Sequence, residues 1–322
     1  MAAASSTRLD AEVKELMKLL INREYISNIS AKLGTELSYQ IEQYLEKITK
    51  CKSKESIAEA SKQFDDFCDK LSFQDAVTKR NFLNVKFLLE LSKHDPGTNV
   101  FVECYKKLNT KIVPLDRNSK KFRLLCRIAR DTHGPSHNVK LEVQQIYKFE
   151  RERECQRFPE PYSDPRGHRL LWHGTRLTNI AAILKFGLQV PKEGETGKSY
   201  FGNGIYFADV VSKSTRYCIG EDYNNIGLIF LCEVALGKSL VKTHAENTIT
   251  NIPNDVYQSI RAFGQFFPHS DTRIDGVKIK SGDIRTQTEP RFEKPLKYNE
   301  FVVYDPAQVK LKYLLQIKMR KN

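Results

Sequence analysis

His173, Gly174 and Thr175 close a short apolar run, Leu170-Leu171-Trp172, and are followed by a helical stretch, a glycine stop at Gly187 and a polar loop. The loop leads through Gly202-Asn203-Gly204 into Ile205-Tyr206-Phe207-Ala208-Asp209. Two strand ends are thereby expected to meet across one cleft. Singly, these residues mean little: a lone histidine after a tryptophan is usually core or surface, and a lone G-x-G is a weak motif. Together they say more. The glycine after His173 lets a ligand approach the main chain, and Thr175 adds a hydroxyl beside the exposed amide. That set suits a carboxamide, which needs one donor and one acceptor in a fixed plane. The Gly202-Asn203-Gly204 turn does not suit a Rossmann phosphate loop, because it lacks the third glycine and opens a strand instead of a helix. Glu300 stands in Tyr298-Asn299-Glu300-Phe301-Val302-Val303-Tyr304, an otherwise apolar strand start. A carboxylate there must be solvated, paired or functional, since burying it alone is costly.

The elements that must position these residues fall into two regions. From Thr7 the pattern is helical, with Leu9, Val13, Leu16, Met17 and Leu20 at helical spacing and Asp10 and Glu12 in the first turn. Further helices are expected near Glu24 to Leu33, after a cap at Ser38, from Glu55 to Leu71 (Ile57, Ala60, Phe64 and Phe67 or Leu71 inward), and from Lys79 to Lys93. His94-Asp95-Pro96-Gly97 is the boundary, because proline and glycine together end a helix and open a turn. Beyond it come a helix near Asn99 to Leu108, a strand at 111–115, a helix capped by Asn118, and a strand with Val139, Leu141 and Val143 on one face. Tyr147 and Phe149 continue that strand after an irregularity. Arg151 to Arg169 reads as a surface loop, Gly227 to Gly237 as a buried strand, and Lys238 to Lys297 as a long irregular region. The last strand carries Val309, Leu311, Tyr313, Leu315 and Ile317 on one face. The fold class is therefore α+β: an N-terminal all-α helical bundle at residues 7–94, then a mixed domain at 97–322 with mainly antiparallel sheets.

The chain has 322 residues, 40% hydrophobic and 28% charged, the composition of a soluble protein of about two domains. No run approaches the roughly 18 apolar residues of a membrane span, and Met1 to Thr7 lacks the apolar core of a signal peptide. Cytoplasm or nucleus is expected. Seven widely spaced cysteines without a C-x-x-C pair (Cys51, Cys68, Cys104, Cys126, Cys155, Cys218, Cys232) read as reduced thiols and argue against zinc. A formal charge of +13 favours contact with polyanions, without sequence-specific recognition.

Four segments in order, LLWHGT, FGNGIYFAD, VSKSTRYC (Val211 to Cys218) and YNEFVVYD (Tyr298 to Asp305), resemble the catalytic region of the poly(ADP-ribose) polymerases. The likeness covers nearly the whole chain and is nearest to the DNA-dependent branch, in which a helical regulatory domain precedes the ADP-ribosyltransferase domain. The resemblance implies cleavage of NAD at its nicotinamide bond and transfer of ADP-ribose to protein acceptors, the enzyme itself included. NAD would be a consumed substrate, so no cofactor or metal is implied. Glu300 matches the catalytic glutamate, which would hydrogen-bond the ribose 2'-hydroxyl and favour an oxocarbenium-like transition state. Tyr206 and Tyr217 match the tyrosines that sandwich the cationic nicotinamide. Gly174 matches the backbone that pairs with the carboxamide, and Thr175 stands where the family usually has serine. His173 matches the contact to the adenosine ribose, and Lys213 the site lysine; Ser214 is counted with the NAD-binding residues.

Several positions depart from the pattern. Gln189 replaces an arginine near the adenosine end, Ser199 and Asn203 replace a tyrosine and a lysine, and the loop is shorter by about one residue. These changes bear on affinity for NAD more than on the reaction. His173, Tyr206 and Glu300 together usually accompany chain elongation, though some members with the trio transfer one unit. In the resembling enzymes the helical domain restrains activity until DNA-bound modules loosen it. Here DNA contact is expected through regions outside this chain, with a nuclear role in DNA-damage response and repair. The alternatives are a mono-ADP-ribosyltransferase on the same fold, and a non-enzymatic module that binds nucleic acid or ADP-ribose.

Overall fold

The computed structural model describes residues 9–73, 75–151, 158–192, 199–218, 225–244, 256–288 and 296–321. Cys155 and the middle of the 188–200 loop, on which the loop-length comparison rests, lie outside them. The chain divides into two compact units, Met1–Thr110 with Thr178–Lys185, and Lys111–Leu177 with Phe186–Asn322.

The first unit begins with six helices: α1 (Ala11–Leu20), α2 (Arg23–Ser30), α3 (Thr35–Lys50), α4 (Lys54–Cys68), α5 (Ala76–Ser92) and α6 (Val100–Leu108). Each turns one apolar stripe inward, as Val13, Leu16, Met17 and Leu20 do on α1 and Phe82, Val85, Leu88 and Leu89 on α5. On α4 Ala60, Phe64 and Cys68 are buried, and the Phe64 ring stacks on Tyr44 of α3 at 4.4 Å. Ile57 and Phe67 are only half-buried, and Leu71 lies beyond the helix. Three helix starts differ from the sequence reading. Asp10 precedes α1 as its cap residue without a side-chain cap bond; α3 starts after Gly34, so Ser38 is inside it and donates its N–H to the Gly34 carbonyl at 3.0 Å. α5 starts three residues earlier than expected, because Asp75 accepts the Thr78 N–H at 2.8 Å. α6 packs against α1 and α5, and Lys107 on α6 satisfies the Glu90 carbonyl of α5 at 2.9 Å. The segment Thr178–Lys185 joins this unit through Asn84 to Asn179 at 2.6 Å and Thr110 Oγ1 to the Leu184 carbonyl at 2.6 Å.

The second unit runs β1 (Lys111–Pro114), α7 (Lys120–Asp131), β2 (Val139–Glu150), β3 (His168–Gly174), α8 (Leu177–Phe186), β4 (Ile205–Phe207), α9 (Val211–Thr215), β5 (Ile226–Ala235) and β6 (Ser239–Lys242). It continues with β7 (Ser259–Ala262), β8 (Gly264–Ile274), β9 (Val277–Thr286), β10 (Leu296–Tyr298), β11 (Glu300–Val303) and β12 (Val309–Lys321). Of α8, the residues Thr178–Lys185 belong to the first unit. The α7 cap is Ser119, whose Oγ accepts the Phe122 N–H, while the expected Asn118 is spent in the preceding turn, where its N–H meets Asp116 at 2.9 Å.

Eight strands form one sheet in the order β1-β2-β12-β5-β3-β9-β8-β10, and four form a second, β4-β11-β7-β6. Most pairs are antiparallel; β3 with β9, β8 with β10 and β6 with β7 are parallel. The irregularity expected in β2 is a register shift: Gln316 faces Gln145, yet Ile317 faces Val143, leaving Gln144 unpaired across the ladder. β12 lies between β2 and β5 and buries Leu311, Tyr313, Leu314, Leu315 and Ile317. Its aliphatic side chains are each worth roughly 1.5–3 kcal/mol of burial. With Trp172, Ile229 and α7, Tyr313, Leu315 and Ile317 make the larger core, while Phe201, Ile260, Ala262 and Val302 make a smaller one on the second sheet.

Two sequence expectations are corrected here. The stretch Lys238 to Lys297 is not irregular where described; it holds β6 to β10, including the β8–β9 hairpin. Its turn is Asp275-Gly276, both at positive φ (50° and 81°), a primed turn that a glycine makes possible. Residues 159–166 do run along the surface as expected, but the loop is anchored at both ends and gives way to β3 at His168. Phe158 and His168 are buried edge to face at 4.3 Å, and His168 Nδ1 lies 2.9 Å from Glu233.

Among the described residues no helix is long and apolar enough to cross a membrane. Among the described residues, Cys51, Cys68, Cys104, Cys126, Cys218 and Cys232 are not joined in disulfides.

Candidate active site at the junction of the two sheets

β3 ends in the larger sheet and β4 begins the smaller one, and Trp172 joins them. Its N–H donates to the Ala208 carbonyl at 2.8 Å, and Ala208 N–H returns the bond at 3.0 Å. This bridge brings His173 beside Tyr206: His173 Nδ1 lies 2.9 Å from the Tyr206 carbonyl oxygen. A carbonyl only accepts, so Nδ1 carries the proton, and the tautomer and ring plane are set.

The Tyr206 hydroxyl donates to the Gly202 carbonyl at 2.8 Å and accepts the Phe201 N–H at 3.0 Å. The tyrosine therefore holds the turn that precedes its own strand. Burial pushes its phenol up to about 12, with the Glu300 charge acting in the same sense and the Phe201 N–H opposing. Across β11 the register sets Val302 against Tyr206 and, on the other side, Glu300 against Ala262. Glu300 is thus the first residue of a strand sandwiched between β4 and β7.

Lys213 of α9 donates to Glu300 Oε1, and also to the Asn299 carbonyl at 3.3 Å. Both side chains are mostly shielded, at 15% and 14% exposed. Burial lowers the Lys213 pKa, against the pull of Glu300 and then Asp209. The pair is consequently sensitive to loss of either partner.

α9 is held on β3 by Ser214 Oγ, which donates to the Trp172 carbonyl at 3.1 Å. Gly174 is where the two meet: a Cβ there would stand 1.8 Å from the Ser214 carbonyl oxygen. The glycine is therefore required by packing, independently of any ligand. Thr175 follows it and is buried, and the Tyr217 ring just past α9 is 62% exposed. His173, Gly174, Thr175, Tyr206, Lys213, Ser214, Tyr217 and Glu300 all lie in the second unit. Hydrogen bonds tie His173 to Tyr206 and Lys213 to Glu300, while the Ser214 hydroxyl and the close approach at Gly174 hold α9 against β3.

Other groups around this junction were not singled out in the sequence. Ser212 Oγ accepts the Gly134 N–H at 2.7 Å and meets His137 Nδ1 at 2.7 Å. The His137 ring stacks on Tyr298 at 4.7 Å, and Ser136 Oγ reaches the Tyr298 hydroxyl at 2.6 Å. A Gly-Pro-Ser-His loop carries no periodic signal, so only its tertiary contacts reveal it. Burial, followed by the charges of Arg216, His133, Lys297 and Lys213, holds His137 down to about 4. Its folded-state pKa lies below the unfolded value of about 6.5, so between those values the unfolded chain binds more protons and stability falls as pH falls. Discounted for the partial exposure of the ring, roughly 1 kcal/mol should be lost between pH 6.5 and 4. Thermal melts over that window are expected to show a shallower slope for His137→Gln than for the wild-type protein; parallel slopes would exclude the effect.

A mixed α/β domain that gathers a histidine, two tyrosines and a lysine-paired glutamate at a sheet junction defines the class, and residues 119–319 match the family model described as the poly(ADP-ribose) polymerase catalytic domain. The chain belongs to the poly(ADP-ribose) polymerase family. It is 40% identical over 72% of its length to a poly(ADP-ribose) polymerase of Sarcophaga peregrina and 40% identical over 66% to poly(ADP-ribose) polymerase 1 of Xenopus laevis. It is 34% identical over 71% of its length to poly(ADP-ribose) polymerase 2 of Zea mays. The matched segments span 23%, 21% and 35% of those three relatives' own lengths.

Proposed function

We propose that this chain is an NAD-dependent protein ADP-ribosyltransferase that builds poly(ADP-ribose), consuming NAD and releasing nicotinamide. The observation that carries the reading is the pairing of Glu300 with Lys213 beside the His173–Tyr206 contact. In the proposed reaction the bond from ribose C1' to the nicotinamide nitrogen breaks and its electron pair leaves with nicotinamide. Positive charge develops on the ribose, and the Glu300 carboxylate, bonded to the 2'-hydroxyl, stabilises it electrostatically. The acceptor oxygen then forms the new bond to C1' and gives up its proton. Lys213 holds the carboxylate in place. Tyr206, its hydroxyl already engaged with the turn, offers a ring face to the nicotinamide cation, and exposed Tyr217 offers the other. Gly174 and Thr175 would hold the carboxamide, His173 the adenosine ribose, and Ser214 completes the NAD-binding set.

The acceptors are proteins, this one included, and growing chains. DNA contact through regions outside this chain, a nuclear location and a part in the DNA-damage response follow from the same reading. The helical first unit would act as the restraint on turnover.

Incubation with labelled NAD, with and without nicked DNA, tests it. Nicotinamide release together with a smear of automodified protein on a gel is expected. A discrete small shift would mark single-unit transfer, and binding without nicotinamide release would mark a non-enzymatic module.

A further inference from the structure

The chain passes between the two sheets twice at the same level. β7 lies in the smaller sheet and β8 in the larger, with Phe263 between them; β10 and β11 make the return passage through Asn299. The passages are neighbours, since Leu296 faces Gly264 in one sheet and Glu300 faces Ala262 in the other. Asn299 is buried at this crossing, 3% exposed. Its Oδ1 accepts the Gly264 N–H at 2.8 Å, and its Nδ2 donates to Asp209 Oδ2 at 2.7 Å. Its main-chain carbonyl accepts from Lys213 at 3.3 Å. Gly264 packs so near that a Cβ on it would lie 2.6 Å from the Asn299 nitrogen. One side chain thus ties the start of β8, the bend after β4 and the residue immediately before Glu300.

Asp209 is an expensive residue to keep there. It is 2% exposed, and its second carboxylate oxygen is buried with no protein partner among the described residues. An apolar residue at the same place would avoid that cost, but would leave the Asn299 amide without its acceptor.

We propose that Asn299 and Asp209 are a positioning pair for Glu300 and Lys213: the asparagine fixes the crossing from which Glu300 projects, and the buried aspartate orients that asparagine. The inference rests on the transferase reading, and neither residue is assigned contact with substrate.

Asn299→Asp sets a second acceptor against Asp209, where an amide had donated. Its turnover in nicotinamide release should fall roughly 30-fold, within the ~100-fold that a 1 Å misplacement can cost, while KM for NAD changes less than about threefold. The reciprocal exchange, Asp209→Asn with Asn299→Asp, restores one donor against one acceptor and still offers Gly264 N–H a carboxylate oxygen. It should recover turnover to within about fivefold of the wild-type protein. Each protein is assayed below its own melting midpoint, read by circular dichroism. If Asn299→Asp does not fold, Asn299→Ser, which cannot reach both partners, is measured the same way. A folded single variant with full turnover, a loss that lies wholly in KM, or an exchange that recovers nothing would overturn the pair. A wild-type protein that releases no nicotinamide would instead remove the transferase reading itself.

Discussion

Glu300→Gln is expected to stop chain growth, by roughly 10³-fold, while nicotinamide release persists at a reduced level. Glutamine keeps the shape and one acceptor oxygen but removes the charge, and preorganised charge stabilisation of this kind is typically worth about 10²–10³ in rate. Chain growth should suffer more than NAD cleavage, because elongation also requires an acceptor hydroxyl to be oriented at the same carboxylate, whereas water can take that place unaided. The substitution also strips Lys213 of its partner in a slot where its side chain is 15% exposed and its pKa is already lowered by burial. The lysine should then lose its proton more readily. For the same reason Glu300→Gln combined with Lys213→Met should be little worse than Glu300→Gln alone, since both break one unit. Gel mobility of the automodified protein and nicotinamide release, measured together, check both expectations. Undiminished polymer from the single variant would count decisively against the assignment of Glu300.

Gly174→Val is expected to destabilise the protein by at least about 3 kcal/mol, at the upper end of overpacking effects, and to lower the melting midpoint by several degrees. The nearest obstacles to an added Cβ are main chain: the Ser214 carbonyl oxygen at 1.8 Å and its carbon at 2.6 Å. Flexible side chains could move aside, but this carbonyl belongs to a helix pinned to Trp172 by Ser214 Oγ. Relief therefore requires α9 to lift from β3, carrying Lys213 away from Glu300. Nicotinamide release should fall even at temperatures where the variant remains folded. Melting curves indistinguishable from the wild-type protein would show that α9 is not held as described.

The correspondence between sequence and structure varies from element to element for identifiable reasons. β12 was legible because its alternation is strong and its polar positions are lysine, glutamine and arginine. The helices of the first unit were legible through their apolar spacing, but their starts were displaced. Capping is decided by which nearby oxygen reaches a free N–H, as Asp75 and Ser119 do, and several candidates stood side by side in the sequence. The hairpin at Asp275-Gly276 was missed although its turn dipeptide is a strong local signal, because the flanking strands carry many polar residues on both faces.

Family resemblance to four motifs marked His173, Tyr206, Lys213 and Glu300, but the residues' own local patterns offered no more than a paired or solvated carboxylate and a lone histidine. Asn299 and Asp209 lie inside two of those motifs but carried no signal of their own, since a polar residue between two short strands is indistinguishable from a turn until both sheets are present. Helix and strand periods are local properties, written in the order of apolar and polar side chains, so the chain by itself determined a helical first region followed by a mixed domain with mainly antiparallel strands. Tertiary structure alone decided that residues 178–185 pack with the first helices, that β3 and β4 are bridged at Trp172, and that the strand bearing Glu300 lies between β4 and β7. Those arrangements depend on which distant surfaces bury one another, and no short window of sequence contains both partners.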